Sequence, residues 1–512
     1  MTQQTRRGAL GGVAALAALA GLPRAASGQG KAGLTVRMDK DISVLDPAFR
    51  TSPQEGSVIR CVMQRLIMQK PNSTETELDA AASLTQVSPT RIEFTLKPGQ
   101  MFTGGYGEMT AEDVKYSYER FAVAAAPGKA SPYKGDWTGL AAVEVKDKYS
   151  GAIVLSQPNA GLYAIALADV SGCIVSRAAI EKLGVEHNTH PVGSGPYEVV
   201  SVDKQRGAVL RRNPGYGGPR PAFDDVRVAV VVDPKTAELA LRSHELDFAV
   251  LPPAVASPMK GAAGLAVDQS PGLAYIWLGI NMEKPPFTDV RVRQAIRLAL
   301  DVDQMLLAGF NGLVPRLNSL IPGTVLGAWA GAPVYKRNVA EAKRLLAEAG
   351  QAGFKARLTV LNQPAYQTMA LVAQALLRDV GITLDLDVQE GGTYWDSGKG
   401  DAGKNLDLFI IRFNGKPDPS FFMQWFTAGQ IGAWNWQRFN SPEYDALYVQ
   451  ALAETDAGKR AALVVRAQEV MDRAAAFVWL TNDAAFIVHD EKVRPAYLPG
   501  ALDWQIDRFT RA

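Results

Sequence analysis

The chain has 512 residues, 47% hydrophobic and 21% charged, with a mean hydropathy of −0.04. At roughly 100 to 200 residues per domain this length gives about three domains or two large lobes, with enough apolar material for large cores and too little charge for a disordered chain. The formal charge of +2 includes Arg6, Arg7 and Arg24 and no acid among residues 1–30; the remainder holds 51 basic against 52 acidic residues, a balance of −1, and offers no basic excess for a run of phosphates.

In chain order, Arg6-Arg7 precedes fifteen uncharged, mostly apolar residues from Gly8 to Leu22, followed by the small residues Ala25-Ala26-Ser27-Gly28. A positive start, a short apolar centre and a small-residue end predict a secretory signal of the twin-arginine type, cleaved near residues 25–30. As a helix, fifteen residues reach only about 22 Å, short of the ~30 Å hydrocarbon core, so a retained anchor is disfavoured. No later stretch has 18 continuous apolar residues, and the rest of the chain is expected not to be membrane-embedded. Cys61 and Cys173 both lie in apolar runs, which favours buried free thiols over a disulfide.

Strict alternation in Arg91 to Lys97, ended by Pro98-Gly99, predicts a half-buried strand. Further strands are expected at Val226 to Val231, Ala274 to Ile280, Leu358 to Leu361, Ile382 to Val388 and Leu406 to Ile411. Between them lie helices with legible starts: Thr110 with Asp113, Asp289, Asn338 with Glu341, and Ser441-Pro442. The helix after Asp289 places Val292, Ile296, Ala299 and Leu300 on one face and Arg291, Arg293 and Arg297 largely on another, expected to be solvated. The elements interleave without a fixed period, so the chain reads as mixed α/β in more than one lobe. Eight of nine tryptophans follow residue 270, four of them between Trp395 and Trp436. Trp434-Asn435-Trp436 puts two indoles on one face if it is a strand, or forms a ligand wall if it is a loop; ordinary core packing is the alternative.

Motifs for chemistry are absent. There is no glycine-rich loop ending in Gly-Lys-Ser/Thr, and Gly193-Ser194-Gly195 lacks the spacing of a nucleophile elbow. His187 and His190 are separated by Asn188-Thr189 and followed by Pro191, which suits a polar loop better than a metal pair.

Longer blocks carry a resemblance. Leu45-Asp46-Pro47-Ala48, Leu96-Lys97-Pro98-Gly99 through Met109-Thr110-Ala111-Glu112-Asp113-Val114, Val192-Gly193-Ser194-Gly195-Pro196-Tyr197, Asn281 through Pro286-Phe287-Thr288-Asp289-Val290-Arg291-Val292-Arg293-Gln294-Ala295, and Ala342 to Gly350 closely resemble, in order, the extracytoplasmic solute-binding proteins of family 5. These are the dipeptide, oligopeptide and nickel-binding type of ABC-importer receptors. The resemblance implies a two-lobed α/β periplasmic binding protein fold, type II, of the large cluster with an extra subdomain in the first lobe. Its expected division is 31–272 plus 484–512 for lobe 1, with an inserted subdomain at about 51–165, and 273–483 for lobe 2. A two-strand hinge is expected near Pro271 to Ile280 and Phe477 to Phe486. It further implies a monomeric periplasmic receptor that captures a peptide-like or other small polar organic solute. That receptor hands its solute to permease subunits and their ATPases, by binding without chemistry, with no cofactor and no metal.

Many family members that bind free peptide N-termini show Trp-x-x-Asp before an Asp-Pro or Glu-Pro turn, the carboxylate pairing with the peptide ammonium. This chain reads Phe413-Asn414-Gly415-Lys416 before Pro417-Asp418-Pro419. In that register lysine stands in the acid's place and would repel an ammonium by several kcal/mol in an enclosed cleft; a gap near Pro417 instead moves Asn414 or Asp418 into the role. The expected site is therefore an acidic or neutral polar ligand near Arg412, Asn414 or Lys416, stacked on Trp434 and Trp436, with Phe413, Asp418 and Asn435 nearby. Phe49, Arg50 and Thr51 form the opposite wall. A metal-chelate or haem receptor of the same family, a secreted hydrolase, and a folding helper or sensor are the rival readings.

Overall fold

The computed structural model describes residues 33–52, 54–122, 131–498 and 504–512. The expected signal segment lies outside them. Ten strands form one continuous twisted sheet in two groups, joined by two long strands. In the first group Gly33–Met38 pairs in parallel with Asp225–Val230 and Phe248–Leu251, and Gly207–Arg212 and Tyr197–Asp203 extend the edge as an antiparallel hairpin. In the second, Phe354–Leu361 pairs in parallel with Ile382–Gln389 and Leu408–Phe413. The last of these begins two residues later than the periodicity suggests, because Leu406 and Asp407 are taken up in the turn that receives Asn281.

A separate four-stranded antiparallel sheet, Ala81–Ser88, Arg91–Leu96, Leu140–Val145 and Ser150–Leu155, forms a small body on the first group. The alternation read in Arg91 to Lys97 is its half-buried strand, with Ile92, Phe94 and Leu96 inward around Tyr118 and Trp137.

The joining strands are Leu265–Ile280 and Phe477–Asp490, antiparallel from Leu265 opposite Asp490 to Gly279 opposite Phe477. Their register shifts between Pro271 and Tyr275, a bulge at the crossing. A Cβ at Gly272 would lie 1.4 Å from the Asp483 carbonyl oxygen, so only glycine permits the strands to approach here; Asn482 Nδ2 donates to the Gly272 carbonyl at 3.2 Å. The chain after the second crossing returns to the first group, where Val493, Trp504 and Phe509 pack with Leu34, Val36 and Phe248.

Helix starts follow the capping signals. Asn338 Oδ1 accepts from Glu341 N at 3.0 Å, Ser441 Oγ from Tyr444 N at 3.2 Å, and Asp113 Oδ2 from both Thr110 N and Thr110 Oγ1. The solvated cationic face expected after Asp289 is found only at Arg291. Arg293 and Arg297 are buried, because their guanidinium groups serve carbonyls at Phe287, Thr288, Asp472 and Ala474 and the Asp472 carboxylate. Cys61 and Cys173 are buried free thiols. Among the described residues no helix is long and apolar enough to cross a membrane.

Candidate functional site

Where the two strand groups face each other across the crossing strands, they enclose a cavity of about 580 Å³. Its first wall carries Arg50, Arg60, Tyr133, Asp136 and Asp169; its second carries Arg412 to Pro417 and the rings of Trp395, Phe421, Trp425 and Trp434. Such a mixture of aromatic surface and a few directed polar groups suits a small organic ligand.

Arg50 is placed by the block Leu45 to Ala48. Asp46 accepts from Ala48 N at 2.8 Å and from Arg120 at 2.6 Å, and its carbonyl accepts from Arg50 N. This turn directs the Arg50 side chain to the cavity, where its guanidinium lies 3.5 Å from the Tyr133 ring centroid and Nη1 donates to the Pro47 carbonyl. Glu55 faces away, accepting from the N–H groups of Ser43, Val44, Thr51 and Ser52. Among the described residues no carboxylate stands within ion-pair distance of Arg50. Among the described residues the charged side chains on the wall are four cations, Arg50, Arg60, Arg412 and Lys416, against Asp136 and Asp169. Arg412 is held at 3.1 Å by Asp483 and at 2.8 Å by Asn414 Oδ1, which leaves the positive excess centred on Arg50.

Lys416 crosses the cavity. Its Nζ stands 2.8 Å from a carboxylate oxygen of Asp136 and of Asp169 and donates to the Ile165 carbonyl at 3.0 Å. Burial pushes the Asp169 carboxyl up, but Lys416, Arg60 and Arg50 outweigh it and hold the group well below the usual carboxylate range. Burial likewise lowers the Lys416 ammonium, and Asp136 and Asp169 overcome this to raise it. The depressed acid contributes fully above its unfolded value of about 3.9 and is lost only as the pH falls further; the raised lysine contributes fully below about 10.4 and is lost only above it. Between about pH 5 and 9 this contact is expected to be constant. The check is interlobe distance by small-angle scattering across that range, and an opening that titrates near neutrality would count against it.

Further contacts join the same surfaces. Ala160 N donates to the Leu452 carbonyl at 2.8 Å, and a Cβ at Gly161 would come within 2.5 Å of the Ser420 hydroxyl, so a bare glycine lets the segment dock.

The eleven residues singled out from sequence divide. Arg50, Arg412, Phe413, Asn414, Lys416 and Trp434 line the cavity. The others lie behind it. Phe49 packs beneath Arg120, and Thr51 donates to Glu55. Asp418 caps the helix Pro419–Met423 and makes a two-pronged ion pair with Arg460, 2.8 Å on each side. Asn435 is buried and bonds the carbonyls of Phe426, Thr427 and Phe439. Trp436 is 1% exposed in a core with Tyr394 and Phe409, whereas Trp434 is 39% exposed, edge-on to Trp395, Trp425 and Phe413. The tight turn here is closed by Trp436 N donating to the Trp434 carbonyl, with Trp434 on the cavity, Trp436 in the core and the Trp395 ring in contact with both. Trp434→Ala is expected to weaken ligand binding about tenfold, the worth of one aromatic contact, with little change in thermal midpoint; calorimetry and a melting curve together check this.

Sequence reading missed Arg60, Tyr133, Asp136, Asp169, Trp395 and Trp425. Only the tryptophan density signalled two of them. His187 is buried and accepts from Val192 N, while His190 is exposed. Among the described residues no group of three or more His, Cys, Asp or Glu is placed to hold a metal ion.

Two α/β bodies joined by a crossing strand pair, with a charged and aromatic cavity between them, define a two-lobed solute receptor. The family of bacterial extracellular solute-binding proteins, family 5 Middle, matches residues 75–434, and the chain belongs to it. Its relatives are substrate-binding transport proteins. The probable D,D-dipeptide-binding periplasmic protein DdpA of Escherichia coli K12 is 29% identical over 468 residues, 87% of this chain and 88% of its own. Glutathione-binding protein GsiB of Shigella dysenteriae serotype 1 is 24% identical over 90% of this chain and 91% of its own. Among solved structures, the Helicobacter pylori DppA complex with peptide STSA superposes with a TM-score of 0.79 at 26% identity, covering 94% of this chain and 98% of that one. MoaA from A. tumefaciens R10, in complex with mannopinic acid, superposes with 0.76 at 25%, covering 94% and 100%.

Proposed function

We propose that this receptor takes a small peptide-like or amino-acid-derived solute with a carboxylate, received by Arg50 and stacked on Trp434 and Trp425. The observation that carries this reading is the buried Arg50 guanidinium on the cavity wall with no carboxylate partner among the described residues. A ligand carboxylate there gains charge-assisted hydrogen bonds in a low-dielectric site. Relatives named for dipeptides and glutathione, and structural neighbours holding a peptide and mannopinic acid, support an acid-bearing ligand of this size. The ligand touches both lobes, 31–272 with 484–512 and 273–483, and so stabilises the closed form by its higher affinity for it. That form is what importer permease subunits read. The twin-arginine segment directs export to the periplasm and is cleaved near residues 25–30, and the receptor acts as a monomer.

Calorimetric titration with free dipeptides, N-acetylated dipeptides and C-terminally amidated dipeptides tests the ligand class. Binding of N-acetylated acids with loss on amidation is expected. Equal binding of the amides would overturn the reading.

A further inference from the structure

We propose that Lys416 is a resident ammonium: it fills a cation subsite built by the other lobe and thereby selects for ligands with no free amine at that end. The inference rests on the cavity being the solute site. An ammonium has three N–H donors, and the Lys416 Nζ meets three acceptors, the Asp136 and Asp169 carboxylates and the Ile165 carbonyl, at 2.8, 2.8 and 3.0 Å. All three belong to the lobe opposite the strand Leu408–Phe413, whose following loop carries the lysine. The acceptors are fixed independently of it. Ser171 Oγ donates to Asp136 at 2.5 Å, Trp137 Nε1 donates to the Ser171 carbonyl, and Arg60 pairs with the other carboxylate oxygen of Asp169. Both acids line the cavity beside Arg50 and Tyr133, so the subsite opens onto the space a ligand occupies.

A ligand amine therefore competes with an ammonium already delivered by the chain, whose effective concentration is that of a tethered group. Displacing it also leaves a buried lysine without partners. Ligands that place a neutral or anionic group near Lys416 face neither cost. The same contact ties the two lobes, so selectivity and closure reside in one side chain.

The test uses the full mature chain and n-propylammonium as probe. Lys416→Ala leaves a gap at the acid pair, and millimolar n-propylammonium is expected to raise its thermal midpoint saturably, where n-propanol and tetramethylammonium do not. The unaltered protein is expected to show no such response. Asp136→Asn added to Lys416→Ala is expected to remove the response. Lys416→Met, which keeps the volume and drops the charge, is expected not to take up n-propylammonium yet to scatter as a more open particle. Lys416→Ala is further expected to shift the affinity ratio of free over N-acetylated dipeptides at least tenfold toward the free form. An equal response of Lys416→Ala and the unaltered protein, or an equal effect of n-propanol, would overturn the inference. If n-propylammonium binds Lys416→Ala while no dipeptide binds either protein, the subsite stands and the proposed ligand class falls. If acetylated dipeptides bind and n-propylammonium does not, the reverse holds.

Discussion

Arg50→Ala is expected to weaken binding of a carboxylate-bearing ligand by roughly 100-fold, about 3 kcal/mol, within the range found when one partner of a desolvated charged hydrogen-bonded pair is removed. The effect is large because Arg50 has no carboxylate partner among the described residues, whereas Arg412 is shared with Asp483 and Lys416 with two acids. Arg50→Lys keeps the charge but loses the planar stack on Tyr133 and the forked geometry, so an intermediate loss of about tenfold is expected. Calorimetry with an N-acetylated dipeptide reads both variants. A control on the far side of the same turn, Thr51→Ala, removes one hydroxyl contact to Glu55 and is expected to leave affinity unchanged.

The second large effect is on stability. Asp418→Ala is expected to destabilise the protein by about 3–5 kcal/mol, because it leaves Arg460 buried and uncompensated and removes the cap on Pro419–Met423. Asp418 also accepts from the Ser420 hydroxyl, at the point where Gly161 docks, so part of the loss falls on the contact between lobes. Arg460→Ala is expected to cost a similar amount, and the double variant less than the sum, since the second change removes a charge the first had stranded. Chemical denaturation of the three variants checks the series. Additive losses would mean the pair does not act as a unit.

What the sequence showed about this fold was local. The strand Arg91–Leu96 and the helix starts at Thr110, Asn338 and Ser441 were legible because each rests on contacts within a few residues. The crossing strands were legible through the resemblance. The charge partners were not: Lys416 donates to Ile165, 251 positions earlier, and no spacing rule connects them. For the same reason Asp418, expected beside the ligand, proves to be a buried partner of Arg460. Arg293 and Arg297 look solvated by helical period alone, and only tertiary carbonyls explain their burial. The Trp434-Asn435-Trp436 motif reads as a candidate ligand wall, but which indole meets the cavity depends on a turn held by Asn435, whose side chain bonds four backbone groups.

The central claim, a receptor that encloses one intact acid-bearing solute, is tested most directly by native mass spectrometry of the protein isolated from its own periplasm, followed by release and fragmentation of any bound molecule. The expected result is one small carboxylate-bearing molecule per chain, chemically unaltered and retained by the protein but lost in Arg50→Ala. Release of a cleaved product, or a bound molecule with no acidic group that Arg50→Ala retains equally, would contradict it.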